Sequence, residues 1–487
     1  MSKIPINLPL LLGAALCFGF AKGSAAQNAA ITITVQPGAR QAFAGLGASI
    51  FPWTPAAVYN AQVTPARTKE MARLLWHDAR LRSVRLWIHP GKEPVDFYVD
   101  GYVGTHKLPD AIAAGATDLI LAPDHMPPSM NDGHGFVRDD AIPQYAGLLA
   151  GFIADFKAKT GILINHCGVL NEPNDRPVKP SDAQWPVLIK ALRAALDARG
   201  LQSVGIVAPE SANCGADAYA IVDSIHADPI AWNDLSGIAT HSYNNAATED
   251  MVGRARGKTY WITEAGGITD ADEDAHDALQ AASAASRFLN DVNHGVTHWQ
   301  FFIGAEQADP RGNTGRILKY DLPYRLTVLQ KYFYLKQLTQ AFDTGAMFRH
   351  SVSSLDGEMT YTYGKKPHLD AAVARNPDGT WAIGLSNFTA PMFQDADAPG
   401  DFALHNSGYH AQAYAVTVRV PELAQVKSLR FAVYRSNSRV ADALAGYAVM
   451  HRGLITLPSV EPLDLVTLRS KQAVRQVLAK AQRVFRQ

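Results

Sequence analysis

Short apolar runs recur along the chain at intervals of roughly 25 to 45 residues, the spacing left when crossover helices separate parallel strands. In order they are FAGLGAS (43–49), SVRLWI (83–88), DLILA (118–122), ILINHCGVL (162–170), SVGIVA (203–208), LSGIAT (235–240), KTYWIT (258–263) and VTHWQFFI (296–303). Helical patterns fill most of the gaps. TPARTKEMARLLWH opens on Thr64 as N-cap, with Pro65 at the first helical position. YAGLLAGFIADFKAKTG spaces its apolar residues one helical turn apart and closes on Gly161. SDAQWPVLIKALRAALDARG starts at Ser181 and stops at Gly200, with Pro186 confined to its first turns. Eight strands with helices between them predict a (β/α)8 barrel over 43–342.

The texture changes after YRLTVLQKYFYLKQLTQAF, which reads as the last barrel helix. From 343 to 469 the chain alternates polar and apolar residues between turn signals, as in EMTYTYGKK, AAVARNPDGTWAIGLSNF and AVTVRVPE. The stretch Asn376 to Gly379 is a hairpin-turn signal. An appended antiparallel β-sandwich is expected here. The early run ITITV, inside an N-terminal segment 27–42, is expected to join that sheet. The final residues 470–487 read as a basic amphipathic helix lying on the surface.

Polar, reactive side chains gather just past the ends of the runs. His89 follows the second, and Asp124 with His125 the third. Asn171 and Glu172 end the fourth and Glu210 the fifth. His241 and Tyr243 end the sixth, and Glu264 the seventh. In barrels of this kind the C-terminal face of the strands carries the active site.

Composition narrows the chemistry. Lys plus Arg and Asp plus Glu both count 45 in 487 residues, so no global field attracts nucleic acid or an anionic membrane. Lys3, the apolar run LPLLLGAALCFGFA and the small residues of KGSAAQ resemble a secretory signal over 1–26, cleaved after Ala26. That run is too short for a membrane span, so a secreted or periplasmic mature chain with no integral span is expected. Cys167 and Cys214 would remain, as free thiols rather than a disulfide scaffold. No His/Cys cluster has zinc spacing and no glycine-rich phosphate loop occurs, so no metal or organic cofactor is expected.

Hydrolysis of a glycosidic bond needs one group to protonate the leaving oxygen and another across the anomeric carbon. Glu172 and Glu264, on the fourth and seventh strands, face each other across a closed barrel mouth. Asn171 could bind a sugar 2-hydroxyl, Tyr243 could orient Glu264, Arg85 could keep a carboxylate ionised, and Trp299 could wall the sugar face. Taken singly these residues read as loop, ion-pair partner and core packing. Their joint placement at strand ends favours chemistry. Asp124, Glu210 and Glu306 are rival carboxylates. An aldolase would want a lysine at a strand end, and none of the eight ends has one. A carbohydrate-binding protein on a hydrolase scaffold, without turnover, is the remaining alternative.

The motifs resemble glycoside hydrolase clan A, and family 30 most of all. FAGLGASIFPW, APDHMPPSMNDG, YAGLLAGFIADFKAKTGILINHCGVLNEP, GIATHSY, KTYWITEAGG and KYFYLKQLTQAF carry the likeness, which covers most of the mature chain. The resemblance implies a barrel with a β-sandwich built from segments on both sides of it. It implies Glu172 as acid/base and Glu264 as nucleophile in a retaining double displacement, with a β-linked carbohydrate as substrate. From their places in the runs or at the strand ends, Asn171, Tyr243, Arg85, His241, Asp124, His125 and Trp299 are expected at the substrate. The family acts on glucosylceramide, β-1,6-glucan, xylan and β-1,6-galactan. Its third-strand loop usually carries tryptophans, where this chain has Asp124, His125 and Ser129. Arg311 and Arg316, after the eighth strand, suggest a partner for a uronic acid.

Overall fold

The computed structural model describes residues 28–243, 245–266, 277–308, 315–355, 369–389 and 411–474. The expected signal, the C-terminal helix beyond Val474, Arg311 and the TYTYGKK run lie outside them. The chain enters as strand β1 (Ala29–Ala42). Eight parallel strands follow: β2 (Gly45–Ile50), β3 (Ser83–Ile88), β4 (Asp118–Pro123), β5 (His166–Gly168), β6 (Gly205–Ser211), β7 (Leu235–Ser242), β8 (Thr259–Ala265) and β9 (Val296–Phe301). They hydrogen-bond in sequence order, and β9 returns beside β2 with Gly47 opposite Gln300, so the barrel closes.

Both faces of these strands are covered, which is why they read as continuous apolar runs. On β3, Val84, Leu86 and Ile88 join the large core shared with the helices. Ser83, Arg85 and Trp87 alternate with them and point into the barrel. Ile120, Val207, Ala239 and Trp261 form a small core of their own, apart from the large one. The Trp261 ring stacks on His298 at 3.6 Å between centroids.

The expected strand 162–170 contracts to His166–Gly168. Beyond that ladder single bonds hold the chain, Asn165 N to Leu119 O at 3.0 Å and Asn171 N to Pro123 O at 2.8 Å. The next helix begins at Gln184 rather than Ser181. Gln184 Oε1 accepts from Ser181 N at 2.9 Å, so Ser181 to Gln184 form the approach to the helix in the manner of a capping box.

A small sheet of β10 (Ile303–Gln307), β11 (Arg316–Asp321) and β12 (Arg325–Val328) follows the barrel. The β domain then runs through β13 (Met347–Ser353), β14 (Leu369–Arg375), β15 (Trp381–Asn387), β16 (Tyr414–Arg419), β17 (Leu429–Ser436), β18 (Ala443–Met450), β19 (Leu454–Val460) and β20 (Leu465–Ser470). Its nine strands hydrogen-bond as one sheet, in the order β18-β17-β20-β15-β14-β13-β1-β16-β19, rather than as two separate sheets. Ile33, Val418 and Ile455 share one core with Trp381, Phe431 and Leu468 from the other half, so the sheet folds over on itself. ITITV is part of β1 and pairs with β13 and β16. The Asn376–Gly379 signal is the β14–β15 hairpin, with Gly379 at φ +82°. The helix Asp277–Asn293 is wedged between barrel and sheet, where Ser386 Oγ donates to Ala282 O at 3.1 Å. No helix among the described residues is long and apolar enough to cross a membrane.

Candidate active site

Arg85 reaches up from the middle of β3 and is fully buried. Nη1 donates to Glu264 Oε2 at 2.6 Å and Nη2 to Asn171 Oδ1 at 2.7 Å. Nη2 also lies 3.4 Å from Glu210 Oε1 and from His241 Nε2. Three strands, β6, β7 and β8, and the segment after β5 thereby place side chains around one guanidinium. Tyr243, just past β7, donates to the second oxygen of Glu264 at 2.5 Å. His241 Nδ1 sits 2.9 Å from Glu172 Oε1. One carboxylate oxygen of Glu172, one of Glu264 and a His241 nitrogen lie within 4.8 Å of one another. Of the residues expected at the site, Arg85, Asn171, Glu172, His241, Tyr243 and Glu264 therefore converge.

The backbone that presents the carboxylates is strained. Glu172 has φ +47° and Glu210 φ +59°, a left-handed conformation that costs a glutamate on the order of 1 kcal/mol or more. Glu172 N donates to Glu210 O at 3.0 Å, so each strained residue braces the other. Gly168 makes room beneath them: a Cβ there would lie 2.0 Å from Glu210 Oε2.

Asp124 and His125 line the same mouth but are held by protein partners. Asp124 Oδ1 takes Arg176 Nη2 at 2.9 Å and Asn171 Nδ2 at 3.3 Å. Its Oδ2 lies 2.6 Å from His125 Nδ1 and 3.4 Å from His89 Nε2. Arg176 is a residue that the sequence did not single out. It follows the 3-10 turn after Glu172 and approaches Glu172 Oε2 at 3.7 Å. His89 carries a second unforeseen group, Trp53, stacked on its ring at 4.5 Å and 37% exposed.

Trp299 does not wall the site. Its side chain points out of the barrel, where Nε1 donates to Asp291 Oδ2 at 2.9 Å and the ring meets Phe288 edge-on. β9 turns His298 and Gln300 inward instead, and Gln300 Nε2 donates to Ser83 Oγ at 3.1 Å. The aromatic wall at the mouth is Trp87, Phe51 and Phe302, in mutual edge contact. Trp87 lies over the Arg85 guanidinium at 4.6 Å, and the two-residue spacing on one strand face was the available signal for it. Arg316 is likewise no exposed loop arginine. It is buried on β11, and Nη1 donates to the Gln307 carbonyl.

Burial pushes the Glu264 carboxyl above its ordinary range, against the pull of His241, Arg85 and Tyr243. Burial acts on Glu172 too, but the hydrogen bond and charge of His241, with Arg176 and Arg85, bring it below the ordinary range. Asp124 is also lowered, because the bond from His89 and the charges of Arg176 and His125 outweigh its burial. Two sets of potential metal donors lie here, His89 with Asp124 and His125, and Glu172 with His241 and Glu264. Arg176 and Arg85 already neutralise these two sets.

No family model and no curated protein matches the sequence. Solved structures do match over nearly its whole length. The catalytic domain of a glycoside hydrolase family 30 xylanase C from Talaromyces cellulolyticus superposes with a TM-score of 0.65 at 16% identity, covering 91% of this chain and 100% of that one. The fold is the one these hydrolases share. A family 30 subfamily 8 xylanase from Clostridium acetobutylicum gives 0.62 at 16% identity, covering 91% and 99%. An endo-β1,6-glucanase gives 0.59 at 16% identity, covering 91% and 94%.

Proposed function

We propose that the protein is an exported, retaining β-glycoside hydrolase. The observation that carries the reading is the pair Glu172 and Glu264, with carboxylate oxygens within 4.8 Å across one mouth. Retaining enzymes hold their carboxyls about 5–5.5 Å apart, whereas inverting ones leave room for a water between them. The fold shared with the xylanases and the glucanase supports the same reading. The N-terminal run of residues 8–21 supports export.

Glu264 is the nucleophile, because Arg85 and Tyr243 hold both of its oxygens and each favours the ionised form. It attacks the anomeric carbon while Glu172 gives its proton to the leaving oxygen. The bond to the leaving group breaks and a glycosyl ester forms on Glu264. Water then enters, Glu172 takes its proton, and the ester is cleaved. Asn171, held by Arg85, is placed to meet the sugar 2-hydroxyl. In the free site burial raises Glu264 and His241 lowers Glu172, which opposes these roles. We assign them on the fixed bonds, because a sugar seated over Glu172 removes water from its carboxyl and favours the protonated form.

Xylan and β-1,6-glucan, the substrates named for the structural neighbours, are the first to test, alongside aryl β-glycosides. A mechanism-based fluoro-sugar should label Glu264. Glu264→Gln should fold and lose about 4 kcal/mol or more of transition-state stabilisation, at least ~1,000-fold in kcat. Unlabelled Glu264 with near-normal turnover in the variant removes the proposal. Sugar binding with no turnover on any substrate leaves a carbohydrate-binding protein instead.

A further inference from the structure

A cluster of potential metal donors that shares no residue with the catalytic mouth lies where the barrel meets the β domain. Glu249 opens the helix Glu249–Ala255, His294 follows the helix Asp277–Asn293, and His350 belongs to β13. One donor atom of each lies within 4.8 Å of the other two. His294 Nδ1 sits 2.8 Å from the Asn290 carbonyl, which can only accept. Nδ1 therefore carries the hydrogen and Nε2 keeps the lone pair. An imidazole fixed in this way by a backbone carbonyl is oriented as metal-binding histidines are. His350 Nδ1 is 3.3 Å from Glu249 Oε1, yet it is buried without a hydrogen-bond partner. That is the relation expected of two groups aimed at a common centre rather than at each other. Arg40 of β1 pairs with the same oxygen, Glu249 Oε1, and fixes that carboxylate beside the two imidazoles.

We propose that Glu249, His294 and His350 bind a zinc ion that clips the barrel to the β domain. Two imidazoles and one carboxylate form a borderline-soft donor set that suits zinc, with water at the fourth position. Calcium would want six to eight oxygens, which this cluster does not offer. The ion would join three segments distant in sequence, so it would stabilise the folded chain without entering the sugar chemistry.

The test is a calorimetric titration of zinc chloride into the full chain after chelator treatment, with Tm measured in parallel. The wild type should show one saturable site and a higher Tm with zinc. His294→Gln and His350→Gln should each weaken binding at least ~10-fold and abolish the Tm gain. Glu249→Gln, at an exposed position, provides the same reading should an imidazole variant fail to fold. His125→Gln, in the donor set at the mouth, should leave the site intact. The proposal is overturned by absence of saturable binding, by a site that survives the Glu249, His294 and His350 substitutions, or by a site lost in His125→Gln.

Discussion

Arg85 bridges Glu264 and Asn171: one guanidinium nitrogen lies 2.6 Å from the carboxylate and the other 2.7 Å from the amide oxygen. A single fully buried cation thus sets the position of Glu264, the proposed nucleophile, and of Asn171, proposed to meet the sugar 2-hydroxyl. Glu210, also fully buried, supplies further counter-charge at 3.4 Å. Removing Arg85 would leave two buried carboxylates without their cation. Arg85→Ala is expected to cost about 3–5 kcal/mol of stability in chemical denaturation. Arg85→Lys should fold better but lose activity, because one ammonium cannot serve two acceptors with a planar fork.

The acidic limb of the pH–rate profile should report Glu264, which must be ionised to attack. Its carboxyl is raised from the ordinary 4.5 by burial, so the limb should lie above 4.5 in kcat/KM. The Tyr243 hydrogen bond favours the ionised form. Removing it raises the carboxyl further, so Tyr243→Phe should move the acidic limb to higher pH. A limb that stays in place would show that Glu264 does not set it.

Gly168→Ala tests the bracing beneath the site. The added methyl would lie 2.0 Å from Glu210 Oε2 and 2.8 Å from the Leu121 carbonyl, so the carboxylate must move. A destabilisation of about 1–3 kcal/mol is expected in thermal unfolding, with a fall in kcat. Because Glu172 N is bonded to Glu210 O, the loss should be greater on substrates with poor leaving groups. Equal losses on good and poor leaving groups would count against coupling between Glu210 and the acid.

Trp53 is the exposed aromatic at the mouth, backed by His89. Its ring is 37% exposed, which leaves aromatic surface for a sugar to cover. Trp53→Ala should raise KM for oligosaccharides by up to about tenfold, the effect of roughly 0.5–1.5 kcal/mol of ring stacking. Turnover of an aryl glycoside too short to reach it should change little. Measuring both substrates in one variant separates loss of the platform from damage to the catalytic centre.

The strand spacing was enough to expect the barrel, and the polar residues at strand ends, with Arg85 within the second run, were enough to name the six groups that converge at its mouth: Arg85, Asn171, Glu172, His241, Tyr243 and Glu264. The reason is that parallel strands demand crossovers of regular length and expose reactive groups at one end. The appended β domain was legible from alternation and turn residues, but its single folded-over sheet was not, because strand order depends on contacts distant in sequence. Tertiary structure also decided which side chains of each strand face the barrel interior. β9 alternates His298 and Gln300 with Trp299 and Phe301, but both of its faces are covered, so the alternation by itself does not say which set looks into the barrel. Arg176 and Trp53 join the site only because loops bring them to it, whereas Glu210 was visible as the end of the fifth run. The sequence by itself determined which chemistry gathers at the mouth. The closing of the barrel decided which groups touch, since both faces of each strand are covered and alternation along one strand does not say which face looks inward.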